Sequence, residues 1–147
     1  LVKMIRNKDY YPIINGTKIT DRKKLIEDIL YIGVGNLERI KEYSILIQQK
    51  KNDLSINAYN KKREIENKSH KDYIMESYDN PNQLHRLEVR INSDAMKDFF
   101  TREHIEYDPS MFINDDWLWL FYLTFLNRVI RFQAVKGRKV YGVMDLI

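Results

Sequence analysis

Apolar residues recur at every second position in two stretches of the chain and at helical spacing in three others. In Leu54–Asn60, Leu54, Ile56 and Ala58 alternate with Ser55, Asn57 and Tyr59. Successive side chains of a strand point to opposite faces, so this spacing predicts a strand with one apolar face and one polar, tyrosine-bearing face. Tyr43–Gln49 is also strand-like, and Lys51, Asn52 and Asp53 between the two are turn formers, which predicts a hairpin. The clearest alternation follows later. Leu87, Val89 and Ile91 interleave with Arg86, Glu88 and Arg90, predicting a third strand with one apolar and one charged face.

Helical spacing places Leu25, Ile26, Ile29 and Leu30 on one stripe of a short helix from Thr20 to Leu30. Ser93 is the expected cap of a second helix, with Met96, Phe99 and Phe100 on one side and Asp94 at its positive end. Asn114 or Asp115 caps a third, which carries apolar residues from Trp117 to Ile130 almost all round and so reads as packed on several sides. Residues 60–82 have no clean period and end in the turn signal Asn80-Pro81-Asn82, so they read as a connection with at most a helical turn inside. Gly33 and Gly35 mark a turn, because a lone Gly-x-Gly lacks the context of a phosphate cradle. Val140 and Val143 around Tyr141 suggest an edge strand after the turn at Lys136-Gly137-Arg138.

A chain of 147 residues with 44% hydrophobic content can bury one core. The expected architecture is a single α+β domain: an antiparallel sheet, made of the hairpin plus the charged-face strand, covered by C-terminal helices. The sheet portion is expected over 29–92 and the helical portion over 93–134. The absence of cysteine excludes disulfide frameworks and thiolate chemistry and suits a reducing compartment. The longest apolar run, Trp117 to Leu126, is about half the roughly 20 residues a spanning helix needs. No secretory leader is visible, so a cytoplasmic protein without membrane contact is expected. A net charge of +4 and a pI near 9.1 favour anionic partners.

Candidate chemistry gathers in the strands and around them. Tyr59 shares its strand face with Asn57 and is followed by Lys61, Lys62 and Arg63. For a tyrosine to attack phosphate its phenol must lose a proton as it attacks, which nearby positive charge eases. Glu88, between Arg86 and Arg90, offers a carboxylate for Mg²⁺ or Mn²⁺ and two guanidinium groups for phosphate oxygens. Lys50, Lys51, Lys61, Lys62, Arg63, Lys68 and Lys71, interleaved with Tyr59 and followed by Tyr73, suit phosphate contact and base stacking. Plainer alternatives stand beside each of these: a surface tyrosine among solvated lysines, a solvated strand face with alternating charges, and a solvated loop. His70 and His104 have no partner at ligand spacing.

Taken together, the strings INAYNKKREIENKSHKDYI and LHRLEVRINSDAMKDFF resemble, in order and separation, the rolling-circle replication initiation factors of plasmids and filamentous phages. In that family a strand ending in Tyr-x-Lys, with an acidic residue shortly after, precedes a strand reading aromatic or leucine, Glu, aliphatic, Arg. Tyr59, Lys61 and Glu64 match the first pattern, and Leu87, Glu88, Val89 and Arg90 the second. The resemblance covers the stretch from Leu54 to Phe100 and implies a partial or C-terminal portion of such an initiator. It implies a metal-dependent enzyme that nicks DNA, with Tyr59 as nucleophile joined to the 5′ phosphate and assisted by Lys61. Glu88 would then be a ligand of the divalent ion or orient one. Lys50, Lys51, Asn57, Lys62, Arg63, Arg86 and Arg90 would contact DNA. Origin DNA, single-stranded or cruciform, is the implied partner, with a second copy of the chain as another. Two readings compete with it: a DNA-binding module without catalysis, and a small protein that pairs with another through its aromatic helix, for which exposed apolar area from Trp117 to Phe132 would speak.

Overall fold

The computed structural model describes residues 1, 4–5, 7–21, 45–48 and 54–147, with the backbone alone at positions 45 and 48. Beyond Asp21, the helix expected from Thr20 to Leu30 lies outside these residues, as do Gly33, Gly35, Lys50 and the turn at Lys51–Asp53.

The chain is α+β, with two antiparallel sheets and helices in its C-terminal half. Strand β1 (Tyr10–Ile14) turns into β2 (Thr17–Lys18) through Asn15 and Gly16, with φ of 48° and 81°. Two consecutive left-handed residues are what a tight two-residue hairpin turn requires, and Asn-Gly meets that demand at least steric cost. β1 then pairs along its whole length with β6 (Ile130–Ala134), from Tyr10 opposite Ala134 to Ile14 opposite Ile130. β6 in turn pairs with β7 (Val140–Tyr141), giving the order β2-β1-β6-β7. The edge strand expected around Tyr141 is therefore present.

The two strands of the expected hairpin belong to the second sheet. β3 (Ile45–Gln48) pairs antiparallel with β4 (Leu54–Asn60), and β4 with β5 (His85–Ile91), in the order β3-β4-β5. Ile47, Ile56 and Val89 form one row across the three strands, Ile47 and Ile56 fully buried. On β4 the core face is the one expected, since Leu54, Ile56 and Ala58 are all buried. Ser55 is buried too, so the polar face opens only toward Asn57 and Tyr59, both half-buried.

Residues 61–76 hold more order than a connection. They form α1 (Lys61–Glu64), a π turn (Ile65–Ser69) and α2 (Asp72–Glu76), which bury Ile65 and Met75. Two long-chain aliphatic anchors per 16 residues are too sparse to give a readable period, yet enough to pin short helices. Next comes α3 (Ser93–Glu103), whose cap is Asn92 rather than Ser93: the Asn92 side chain accepts from the Ala95 amide at 2.9 Å, and Ser93 is the first helical residue. α4 (Asp115–Val129) is capped by Asn114, which accepts from the Trp117 amide at 3.1 Å. Asp115 and Asp116 lie in its first turn, where negative charge complements the helix dipole.

α4 departs from expectation twice. It ends at Val129, and Ile130–Ala134, expected as helix, is the strand β6; Ile130 has φ −142° and ψ 132°. Two β-branched residues in succession weaken the helix there, and pairing with β1 satisfies the strand's backbone groups. Nor is the helix packed on every side: Phe121, Phe125, Leu126 and Val129 are buried, but Leu118, Trp119 and Leu120 near its start are exposed. One contiguous core joins Ile14 and Phe132 of the first sheet, Ile47, Leu54 and Ile56 of the second, and Phe99, Phe125 and Leu126 of the helices. Strands 10–14 and 130–134 thus lie outside the expected sheet limits of 29–92.

Candidate functional site

The antiparallel register of β4 and β5 decides which side chains meet. Asn57 stands opposite Glu88, Tyr59 opposite Arg86, and Ser55 opposite Arg90. All six therefore lie on one face, because residues directly opposite each other share a side of the sheet. Tyr59 reaches diagonally to Glu88, and its hydroxyl donates to Glu88 Oε1 at 3.0 Å. The phenol and the carboxylate, 29 residues apart in sequence, converge.

Glu88 is held from both sides. Arg86 Nη1 lies 3.4 Å from Oε1 and Arg90 Nη2 lies 3.6 Å from Oε2. The carboxylate is 27% exposed, against 50% for Arg86 and 69% for Arg90. These ion pairs are too open to contribute much stability; their consequence is a half-open cluster of one acid, one phenol and two cations. Tyr59, which stands opposite Arg86, and Glu88, which pairs with it, hold the Arg86 guanidinium still more firmly in its charged form. A fixed cation beside the phenolic oxygen stabilises negative charge that develops there.

Lys61 sits differently from its neighbours. As the first residue of α1 it is buried, and its ammonium pairs with Glu64. That pair holds the Glu64 carboxyl below the usual carboxylate range. The ammonium lies 5.9 Å from the centroid of the Tyr59 ring, over its face, within the range where a cation and a π system attract. Its charge faces the ring, while the partner of the hydroxyl is Glu88. The amides of Lys61 and Lys62 both donate to the Leu84 carbonyl, at 2.8 and 3.2 Å, and Lys62 Nζ donates to the Pro81 carbonyl at 3.4 Å. The start of α1 is thereby clamped to the approach of β5. Arg63 is exposed one turn further, its amide bonded to the capping Asn60 side chain at 3.1 Å.

A divalent ion does not fit the residues described around Glu88. Among the described residues, the only carboxylate on this face is Glu88, already engaged by a hydroxyl and flanked by two guanidinium groups, whereas Mg²⁺ and Mn²⁺ prefer several oxygen donors free of competing cations. Among the described residues, no group of three or more His, Asp or Glu side chains is placed to share an ion. His85, on the pleat's other face opposite Asn60, is exposed.

Of the expected site residues, the register brings together Tyr59, Asn57, Glu88, Arg86 and Arg90, while Lys61, Lys62 and Arg63 form a flanking helical start. Lys50 and Lys51 lie outside the described residues. Glu64 was matched in the sequence only as the acidic position of the family pattern, and its pairing was missed. Glu64 neutralises Lys61, and an i,i+3 spacing inside a helix would have revealed it had the helix been read. No helix among the described residues is long and apolar enough to cross a membrane. Compared with protein-family models, curated proteins and solved structures, the chain matches none of them.

Proposed function

We propose that this chain nicks a DNA strand during replication initiation, with Tyr59 as the nucleophile. The observation that carries the reading is the Tyr59–Glu88 hydrogen bond of 3.0 Å on a half-open sheet face, with Arg86 and Arg90 on either side. Tyrosine, proton acceptor and phosphate-binding cations are the minimum that phosphodiester transfer to a phenol needs.

The steps use those four side chains. A phosphodiester enters against Arg90, the more exposed guanidinium, and Arg86, whose planar forks bind its non-bridging oxygens. Tyr59 Oη attacks phosphorus as its proton passes to Glu88. The new bond joins the phenolic oxygen to the 5′ phosphate, and the bond from phosphorus to the 3′ oxygen breaks. The departing 3′ oxygen takes a proton, from Glu88 or water, and leaves as a hydroxyl able to prime synthesis. Charge building on the phosphoryl oxygens is met by the two arginines. A carboxylate is a weak base toward a phenol, so Arg86 beside the same oxygen matters for the proton transfer.

The test is covalent trapping. Incubated with end-labelled single-stranded DNA of its replicon, in parallel with Mg²⁺, Mn²⁺ or EDTA, the protein should carry label through a denaturing gel, and Tyr59→Phe should carry none. Persistence in EDTA is the result expected from the donor set around Glu88; label only with metal would place an ion at this site and require donors beyond those described. No label under any condition would remove the nicking reading.

A second reading, a DNA-binding module without catalysis, is favoured by one observation: the Tyr59 hydroxyl is already committed to Glu88, and the flanking cations bind phosphate whether or not the bond is cut. It predicts salt-dependent binding that Tyr59→Phe leaves unchanged, with no adduct.

A further inference from the structure

The start of α4 and the turn before it are apolar and acidic at once, and nothing in the steps above uses them. Between residues 112 and 120, Phe112, Ile113, Leu118, Trp119 and Leu120 are all exposed, Ile113 at 85% and Trp119 at 51%. Their backing is firm. The Phe112 ring lies 5.5 Å from that of Phe121, which is buried, and the Trp119 ring is stacked 5.4 Å from that of Tyr122, the planes 11° apart. Tyr122 is anchored in turn, its hydroxyl donating to the Leu87 carbonyl of β5 at 3.2 Å. Trp119 is thus supported from beneath while half of it faces solvent, and a side chain fixed before a partner arrives loses little entropy on docking. An exposed apolar cluster with a polar rim marks an interaction site.

The charge of the rim selects the partner. Asp115 and Asp116 are exposed in the first turn of α4, where helical spacing sets Asp115 beside Leu118 and Trp119, and Asp116 beside Trp119 and Leu120. Asp108, whose side chain accepts from the Ser110 amide at 2.9 Å, caps the short helical turn Pro109–Ile113 that carries Phe112 and Ile113. Residues 103–127 hold Glu103, Glu106, Asp108, Asp115 and Asp116 but none of the chain's 25 Lys and Arg, so this segment is negative on a protein of net charge +4. Such a field repels nucleic acid. A symmetric contact between two copies would bring the same aspartates face to face. We propose that the start of α4 docks a basic amphipathic helix of another protein. That helix lays apolar side chains on Trp119 and Leu120 and sets lysines or arginines against Asp115 and Asp116. The docking goes beyond the nicking reading and stands without it, because no side chain of the charged face of β4 and β5 takes part.

Anisotropy of fluorescein-labelled helical peptides, each with the full chain, tests the proposal. One peptide carries leucine and lysine on opposite faces, a second has glutamate in place of lysine, and a third keeps the lysines with alanine in place of leucine. The unaltered chain should bind the leucine-lysine peptide more tightly than either of the others. Trp119→Ala should weaken that binding at least about fivefold, the loss that distinguishes an interface anchor. Asp115→Lys together with Asp116→Lys should reverse the preference, so that the leucine-glutamate peptide is bound instead. This reversal is a gain of binding that an unfolded chain cannot show, so it decides the matter even if Trp119→Ala fails to fold. No binding of the leucine-lysine peptide by the unaltered chain, equal affinity for the lysine and glutamate peptides, or full affinity in a folded Trp119→Ala would overturn the proposal. So would loss of single-stranded DNA binding in Trp119→Ala, which would make the ring a base-stacking site. Dimers seen by sedimentation and lost in the same variant would also overturn it, by seating a second copy on this face.

Discussion

The two sheets of this protein are built from opposite kinds of contact. The four-stranded sheet joins residues 10–14 to residues 130–134, so its central pairing spans most of the chain, and it contributes Ile14, Ile130 and Phe132 to the buried core. None of the candidate chemistry lies on it. The three-stranded sheet pairs neighbours in sequence order, and its outward face carries the phenol, the carboxylate and the two guanidinium groups. The contrast teaches where chemistry is tolerated. A strand pair that closes the chain must be specified by apolar packing, while a sheet whose strands pair in sequence order can give one face to charged groups. α4 links the two, since Phe125 and Leu126 belong to a core that receives residues from both sheets.

The largest expected effect breaks that link. Phe125→Ala removes a fully buried ring that contacts Phe99 at a centroid distance of 5.7 Å. It should cost about 3–5 kcal/mol in urea unfolding. The loss should fall on both sheets in one cooperative transition; a transition confined to one sheet would show that they are separate units.

A smaller effect sharpens the local side. The Glu64 carboxyl is held low by Lys61, so the pair's contribution to stability is fully present above the ordinary Glu value of about 4.5 and is lost as pH falls through the lower folded value. Glu64→Gln should therefore flatten the fall in melting temperature between neutral pH and pH 3 relative to the unaltered chain. Parallel curves for the two proteins would contradict the pairing.

The smallest effect tests the sheet's open face alone. Arg90 is the most exposed member of the cluster, and Arg90→Gln should leave the melting temperature unchanged. It should lower the slope of log affinity against log salt for single-stranded DNA by about 0.7, the value of one phosphate contact. An unchanged slope would take Arg90 out of the interface.

Much of the three-stranded sheet was legible because a period of two is visible in a short window. Leu54/Ile56/Ala58 and Leu87/Val89/Ile91 declare their faces, and face parity alone put Tyr59 with Asn57 and Glu88 with its arginines. That the two sets share a side depended on register, which is a tertiary fact. The Asn15-Gly16 turn was as clear a hairpin signal as any in the chain, but β2 is two residues long and gives no alternation to read. The end of α4 was hidden for a different reason: Val129, Ile130 and Phe132 continue a helical apolar pattern, and only the partner strand 10–14 makes residues 130–134 extended. Asn92 and Ser93 are both good caps, so local chemistry could not choose between them. The environment of the Tyr59 hydroxyl was not legible either. Nearness in sequence pointed to Lys61, but a helix beginning there turns the ammonium to Glu64 and leaves the hydroxyl to residues of the next strand.

The central claim is that one phenol among ten tyrosines becomes a nucleophile because β4 and β5 bring it to Glu88. Mass spectrometry of the trypsin-digested protein after reaction with single-stranded DNA tests it most directly. The account predicts that the nucleotide is carried by the peptide of residues 52–61, which contains Tyr59 as its sole tyrosine. A nucleotide on any other tyrosine, or on none, would contradict it.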